Sequence, residues 1–330
     1  MPIDFTVAIR TYNGATRLPK VLDQLLQQTG TAGITWEVLV VDNNSQDETA
    51  TVVKHYAQHW RQDSQLKYCF EPRQGSSYAR DRAMQEASAD LVGFLDDDNI
   101  PADNWVAASY HFGQAHPHVG AYGCNIHAQL DGTPPVGFEQ INYLLAIEDR
   151  GSADFPYQKK NWRLIPSNPG TVIRKQAWQA VVPSRRRLRG RDDSFKLRVS
   201  SAEDLEVLYY IHSSPWEIWH NAATKVWHQI PTKRLDQEYF LKLAWNFGLS
   251  AHALRIARLR PWLRPFMPLL IPVYVGFSAT RLAIFYLKYR GEVTTNLNKA
   301  CQLRSLQGYL ISPFVTPSPT SYQDYPLSQP

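Results

Sequence analysis

The chain has 330 residues, with 35 Lys and Arg against 30 Asp and Glu, a formal net charge of +5 and 44% hydrophobic residues. That apolar content excludes wholesale disorder, and the length admits one large domain with an appendage, or two domains. The mild excess of positive charge points to anionic partners: phosphate esters, a membrane surface or nucleic acid. Cys69, Cys124 and Cys301 are far apart and odd in number, without zinc-ligand spacing. Reduced thiols, as in the cytoplasm, are therefore expected rather than a disulfide framework. No basic n-region precedes the first apolar run, so no signal peptide is expected.

Residues 5–9 read as a first strand. Leu18, Val21, Leu22, Leu25 and Leu26 then fall on one apolar stripe at helical spacing. Residues 36–41 form a second strand, which runs into Asp42-Asn43-Asn44-Ser45, a turn or capping sequence, and a helix over about 48–60. A third strand at 66–70, a turn at Gly75 and a helix around 78–87 lead to a fourth strand ending at Asp96. The β-α-β-α-β-α-β order implies a largely parallel, right-handed, doubly wound sheet. From 101 to about 230 the pattern is less regular and rich in Trp, Tyr, Pro and Gly, which suits shorter strands and loops that build a second substrate site.

The run Arg185-Arg186-Arg187-Leu188-Arg189-Gly190-Arg191 reads as a solvated, mobile segment, or as a clamp for a phosphorylated acceptor or an anionic membrane. Residues 239–248 look helical. Residues 265–280 carry no charge, hold three prolines and are flanked by Arg260, Arg264 and Arg281. They fall short of the roughly 20 apolar residues of a spanning helix. An amphipathic or re-entrant surface segment is expected, or an ordinary buried helical hairpin. Residues 312–330, rich in Pro, Ser, Thr and Gln, are expected to be disordered.

The most informative stretch is Phe94-Leu95-Asp96-Asp97-Asp98, a short apolar run ending in three carboxylates. Ligands of open α/β sheets bind at the carboxyl ends of strands. Three acids there repel one another unless positive charge sits among them, and a divalent cation carrying a phosphorylated ligand is the economical answer. The other strand ends agree: Thr11-Tyr12-Asn13 after the first, Asp42 after the second, Arg73-Gln74-Gly75 and Arg80 after the third. A carboxylate can accept bonds from a base or ribose, and an arginine can pair with phosphate. The absence of G-x-x-x-x-G-K-[ST] and of G-x-G-x-x-G argues against a P-loop NTPase and a dinucleotide enzyme. Far downstream, Glu203-Asp204 opens a helix-like segment at 205–211, with Ser200 or Ser201 as cap; these acids are either plain helix-capping charges or a catalytic pair. His228 lies among Val226, Trp227 and Ile230, as a hydrogen-bonded core histidine or as a ligand. Trp216, Trp219 and Trp227 read as core rather than sugar platforms.

With these residues the chain resembles inverting glycosyltransferases of family 2, with the GT-A fold. Five ordered elements carry the resemblance over residues 3–230: T-Y-N at 11–13, D-N-N-S-x-D at 42–47, the Ala79-Arg80 pair, D-x-D at Asp96 and Asp98, and Glu203-Asp204. The wording around Trp216-Glu217-Ile218-Trp219-His220-Asn221 and Val226-Trp227-His228-Gln229-Ile230-Pro231 also resembles the hormogonium polysaccharide biosynthesis glycosyltransferases of cyanobacteria.

The resemblance implies an α/β fold: a Rossmann-like, mostly parallel sheet, a mixed acceptor-binding half and a helical C-terminal extension. The expected division is a GT-A domain at 1–235 (nucleotide-binding half 1–100, acceptor half 101–235), a helical, membrane-associating extension at 236–311 and a tail at 312–330. Thr11, Tyr12, Asn13 and Asp42 would line the nucleoside pocket, and Arg80 would position the nucleotide. Asp96 would contact ribose or metal, and Asp98 would ligate Mn²⁺ or Mg²⁺ between the phosphates. Asp204 would be the general base with Glu203 beside it, and His228 a further metal or phosphate contact. The implied donor is a nucleotide sugar, UDP-linked in the first instance. The implied acceptor is a saccharide or a polyprenyl-diphosphate-linked sugar at the inner face of the plasma membrane, and nucleic acid is not expected as a partner. Three departures stand out: Arg10 replaces the usual Pro, Ala83 a frequent Gly, and the Q-x-x-R-W signature of processive synthases is not matched by residues 229–234. The competing readings are a sugar-nucleotide pyrophosphorylase, whose Gly-rich, Lys-bearing loop is poorly matched by residues 13–17, and a non-catalytic protein binding anions or nucleic acid through the basic run.

Overall fold

The computed structural model describes residues 2–160, 165–188, 190 and 202–315. The first half follows the expected alternation. Strand β1 (Phe5–Thr11) leads to helix α1 (Leu18–Leu26), β2 (Trp36–Asp42), α2 (Thr49–Gln58), β3 (Ser64–Phe70), α3 (Ser76–Glu86) and β4 (Leu91–Asp96). Then come β5 (Asn99–Pro101), α4 (Trp105–Ala115), β6 (Val119–Leu130), β7 (Phe155–Pro156), β8 (Val172–Arg174) and α5 (Lys175–Val181). The chain ends through α6 (Glu203–His212), β9 (Glu217–Ile230), α7 (Gln237–Leu249), α8 (Ala251–Arg258), α9 (Met267–Tyr289) and α10 (Leu297–Val315).

The sheet runs β3-β2-β1-β4-β8-β6-β9-β5, with β7 alongside β9. β3, β2, β1 and β4 are all parallel; β8 joins β4 antiparallel, and β6 pairs β9 in parallel. The crossover from β4 to β8 marks the passage from the regular half to the mixed half. Every residue of β1 and β2 is buried, as befits central strands covered on both faces. Because side chains alternate across a strand, β1 and β2 feed two cores. Val7, Ile9, Val38 and Val40 pack with the apolar stripe of α1. Ala8, Leu39 and Val41 pack on the other face with Ala79 and Ala83 of α3 and Val207 and Ile211 of α6.

A third cluster joins the end of β9 to the C-terminal helices through Leu145, Ile230, Leu235, Phe240, Ala244 and Cys301. Here α7 and α10 cross at paired glycines. A Cβ on Gly248 would lie 2.3 Å from the Ser305 carbonyl oxygen, and one on Gly308 would lie 2.7 Å from the Trp245 carbonyl oxygen. The obstacle in both cases is backbone, which cannot rotate away.

Several expectations change. Residues 267–280 belong to α9, a 23-residue helix, and residues 265 and 266 end the 3₁₀ turn before it. The run Pro261–Tyr289 is long and apolar enough to cross a membrane, and only 6% of its most apolar window is buried. A buried hairpin is thus excluded, and the element is longer than its uncharged core suggests because Arg281 and Lys288 sit within the helix. The basic run is not simply solvated. Arg186 is 2% exposed, donates to Ser77 Oγ and Asp81 Oδ1, and stacks over Trp178, while the Arg187 and Leu188 amides donate to the Glu206 carboxylate. Arg189 and residues 191–200 lie outside the described residues. The proposed caps Ser200 and Ser201 lie outside them too, and Ala202, at φ 73°, precedes α6 instead. Trp227 is 37% exposed, against the expectation that it is core. Of the expected tail, residues 312–315 complete α10; residues 316–330 lie outside the described residues.

The glycine crossing generates a test. Gly248→Ala must force α7 from α10, and overpacking of this kind costs about 1–3 kcal/mol. The expected result is a lower denaturant midpoint in urea unfolding; an unchanged midpoint would show that the crossing tolerates a methyl group.

Candidate active site

A cleft of about 400 Å³ opens at the carboxyl ends of β1, β2 and β4. Its floor is the acidic triplet, and the positive charge among the three aspartates comes from the chain itself, one arginine to each. Arg10 Nη2 donates to Asp96 Oδ1 at 2.6 Å. Arg17 reaches Asp97 with two bonds, Nε to Oδ1 at 2.9 Å and Nη2 to Oδ2 at 2.8 Å. Arg234 Nη1 donates to Asp98 Oδ2 at 2.8 Å. Each carboxylate of the triplet thus has a guanidinium partner, which the sequence alone did not reveal.

The triplet is stiffened from behind. The Asn99 side chain accepts the Asp96 amide and donates to Asp98 Oδ1. Thr11 Oγ1 donates to Asp97 Oδ2 at 2.7 Å, which fixes the exit of β1 against β4. Burial pushes the Asp97 carboxyl up against the opposing pull of Arg17. Burial would also raise Asp98, but His228 and Arg234 override it and hold that carboxyl well below the usual range.

Asp98 and His228 are the pair that fits a metal. His228 Nε2 lies 3.6 Å from Asp98 Oδ2, and its Nδ1 donates to the Leu145 carbonyl at 2.8 Å. That bond makes Nε2 the ring nitrogen that faces the carboxylate, and in the neutral ring it would carry the lone pair a metal requires. A hard carboxylate oxygen and a neutral imidazole suit Mn²⁺ or Mg²⁺. Among the described residues no cluster of three or more His, Cys, Asp or Glu surrounds one point. An ion here would need further oxygen donors from phosphate or water, which is how Mg²⁺ is usually bound.

The second acidic pair stands on the first turn of α6. Glu203 Oε1 accepts from Ser76 Oγ at 2.5 Å and lies 3.5 Å from Arg10 Nη1. Arg10 and Arg80 outweigh burial and hold the Glu203 carboxyl low. Asp204 goes the other way: burial and the adjacent Glu203 charge push it to about 6, against Arg80 and Arg10. Two neighbouring carboxylates pushed apart in this way suit one ionised orienting group and one proton acceptor near neutrality.

The expected site residues divide by position. Thr11, Tyr12, Asp96, Asp98, Glu203, Asp204 and His228 all line the cleft. Asn13 and Asp42 stand behind its wall. Asn13 clasps the next strand end through Ser45 Oγ and the Gln46 amide, and Asp42 accepts from the Ser45 amide and from Tyr68 Oη. In their place Asn43 faces the cleft. Arg80, 1% exposed, also lies beneath: it donates to Asn168 Oδ1 at 2.6 Å, and Asn168 donates on to Asp96 Oδ2. Sequence reasoning did not assign Arg10, Arg17, Asn168 or Arg234. A charge count at the strand ends, three acids requiring three bases, is the signal that would have found the arginines; Asn168 has no such signal.

The family model of "Glycosyl transferase family 2" matches residues 6–179, more than half of the chain. The chain belongs to glycosyl transferase family 2. Curated relatives include glycosyltransferase AglE of Haloferax volcanii, 33% identical over 102 residues, which are 31% of this chain and 32% of that protein. Validoxylamine A glucosyltransferase of Streptomyces hygroscopicus is 36% identical over 123 residues, 36% of this chain and 28% of that one. The matches thus span about a third of these relatives. Among solved structures, the mannosyltransferase PcManGT of Pyrobaculum calidifontis, in complex with GDP-Man and Mn²⁺, aligns over 96% of this chain and 89% of its own at a TM-score of 0.55 and 17% identity. S. aureus TarS 1–349 in complex with UDP-GlcNAc aligns over 93% and 90% at a TM-score of 0.52 and 15% identity. These likenesses establish the GT-A fold. Family 2 membership makes the chain a glycosyltransferase rather than a pyrophosphorylase or a non-catalytic protein.

Asp204 yields a pH prediction for this family 2 enzyme. A base must be ionised to take a proton, and a carboxyl raised to about 6 is ionised only above that pH. Transfer measured as kcat/KM should be level above about pH 6 and fall tenfold per unit below it. A rate independent of pH down to 4 would remove Asp204 from the reaction.

Proposed function

We propose that the chain is an inverting, metal-dependent transferase that moves a sugar from a UDP-sugar to a saccharide or lipid-linked acceptor in polysaccharide biosynthesis. The observation that carries the reading is that two acidic groups line one cleft: Asp96–Asp98 with His228, and Glu203–Asp204. Inversion at one carbon requires leaving-group stabilisation and base on opposite faces of the sugar. The triplet side takes the diphosphate, with the nucleoside toward Thr11, Tyr12 and Asn43. Asn13, Asp42 and Arg80 support that wall from behind, and Asp96 stands where ribose or metal would meet it. Asp98 and His228 would hold Mn²⁺ or Mg²⁺, which when bound offsets charge on the departing phosphate. Asp204 accepts the acceptor hydroxyl proton, and Glu203, anchored by Ser76 and Arg10, keeps its own charge beside it. TarS with UDP-GlcNAc and PcManGT with GDP-Man and Mn²⁺ support a nucleotide-sugar donor and a metal.

The same reading divides the chain into the GT-A domain, residues 1–235, and a helical layer beyond it that meets the cytoplasmic face of the plasma membrane. From residue 239 to residue 291 there is no acidic residue, whereas eight are basic. Within this stretch Leu269, Val273, Phe277 and Leu287 of α9 are each at least 60% exposed. Exposed apolar side chains in a purely basic setting match an anionic bilayer.

Two measurements test these statements. Asp98→Ala should abolish the Mn²⁺-dependent part of UDP affinity, and Asp204→Asn should keep UDP binding while lowering transfer by about 10² or more. Undiminished UDP–Mn²⁺ binding by the Asp98 variant would refute the site, as would wild-type turnover of the Asp204 variant. For the membrane, the full chain should co-sediment with anionic liposomes at low salt, and Val273→Glu with Phe277→Glu should leave it in the supernatant. Equal sedimentation of both proteins would remove α9 from the contact.

A further inference from the structure

The three arginines of the triplet are not held alike. Arg10 is a buried group on β1, shared between Asp96 and Glu203. Arg17 is bidentate on Asp97 and also donates to the Tyr12 carbonyl. Arg234 stands on the three-residue 3₁₀ turn Thr232–Arg234, and its Nη1 is divided between two acceptors, Asp98 Oδ2 at 2.8 Å and His228 Nε2 at 3.3 Å. Those two atoms are 3.6 Å apart, and they are the pair whose chemistry suits a divalent ion. The guanidinium therefore bridges the two donors that a metal would bridge. A dication and a guanidinium cannot both occupy that gap, because both are positive and both need the same lone pairs.

We propose that Arg234 is the resident counter-cation of the Asp98–His228 pair and makes metal binding conditional on the diphosphate. The inference rests on the reading of the cleft as a nucleotide-sugar site. Arginine suits the exchange, since its fork pairs with carboxylate and with phosphate equally well. An arriving diphosphate offers Arg234 new acceptors, and its departure from Oδ2 and Nε2 frees both atoms for the ion. Without the diphosphate, the ion must displace a charge-assisted bond in a largely buried setting and leave the guanidinium unpaired. Metal and nucleotide then bind cooperatively, each raising the affinity of the other by the same factor. The arrangement also keeps Asp98 neutralised at every stage, first by the chain and then by the ion.

The test is titration of Mn²⁺ into the full chain, with free Mn²⁺ followed by electron paramagnetic resonance, in the presence and absence of UDP. Wild type should bind Mn²⁺ weakly alone and far more tightly with UDP. Arg234→Met, similar in length but uncharged, should bind Mn²⁺ alone at least about tenfold more tightly and lose most of the gain from UDP. Arg234→Lys, which keeps the charge, should bind Mn²⁺ alone as weakly as wild type. Arg234→Gln supplies the same uncharged comparison should the Met variant not fold. If wild type binds UDP with Mn²⁺ but the uncharged variants hold Mn²⁺ alone no more tightly, Arg234 is not a competing cation and the inference fails by itself. If wild type binds no Mn²⁺ even with UDP, the metal site and the inference fall together.

Discussion

Consecutive carboxylates at the end of a covered strand set the terms for the whole site. Charges in that position are tolerated only if each finds a partner. The partners arrive from three separate parts of the chain: β1, the loop before α1 and the turn after β9. Pairing the triplet thus draws the start, the middle and the C-terminal third of the catalytic domain to one point. Asn99 and Thr11 add hydrogen bonds that fix where each carboxylate aims. The electrostatic solution and the fold are one requirement met by the same residues.

The acids on α6 extend this logic across the cleft. Arg10 touches both groups, bonded to Asp96 and close to Glu203, so the triplet and the α6 acids share a cation. Arg80 reaches Asp96 only through Asn168. Two buried arginines near two adjacent acids hold one acid low, and burial keeps the other high. An asymmetric pair follows from symmetric-looking sequence, Glu beside Asp, because Glu203 bonds Ser76 and pairs with Arg10, while burial and the Glu203 charge outweigh the pull of the arginines on Asp204.

The regular half of the fold was legible because its signals are local. Apolar runs mark β1, β2 and β4, and the leucine stripe marks α1. Glu203-Asp204, Asp96 and Asp98 were legible because acids clustered at element ends are costly without a purpose. Arg17 and Arg234 were not, since each is a base in a loop or turn whose partner lies 80 or more residues away in sequence. Asn13 and Asp42 were read as lining residues, yet neither lines the cleft, and Arg80, read as positioning the nucleotide, lies beneath it; a motif fixes residue type and order, not depth. The length of α9 was underestimated because Arg281 looked like its boundary, whereas long cationic side chains extend to solvent from within a helix.

The turn Thr232–Arg234 has a mechanical consequence. It follows directly on β9, which carries His228, and it leads within a few residues into α7, which is locked to α10 at the glycine crossing. The helical layer is therefore hung from the sheet through a short strap whose last residue is the partner of Asp98. A load on that layer, such as its seating on a surface, is borne first by this strap. The placement of that layer and the charge balance of the triplet are then not independent: the helices and the cation at the floor of the cleft are parts of one lever.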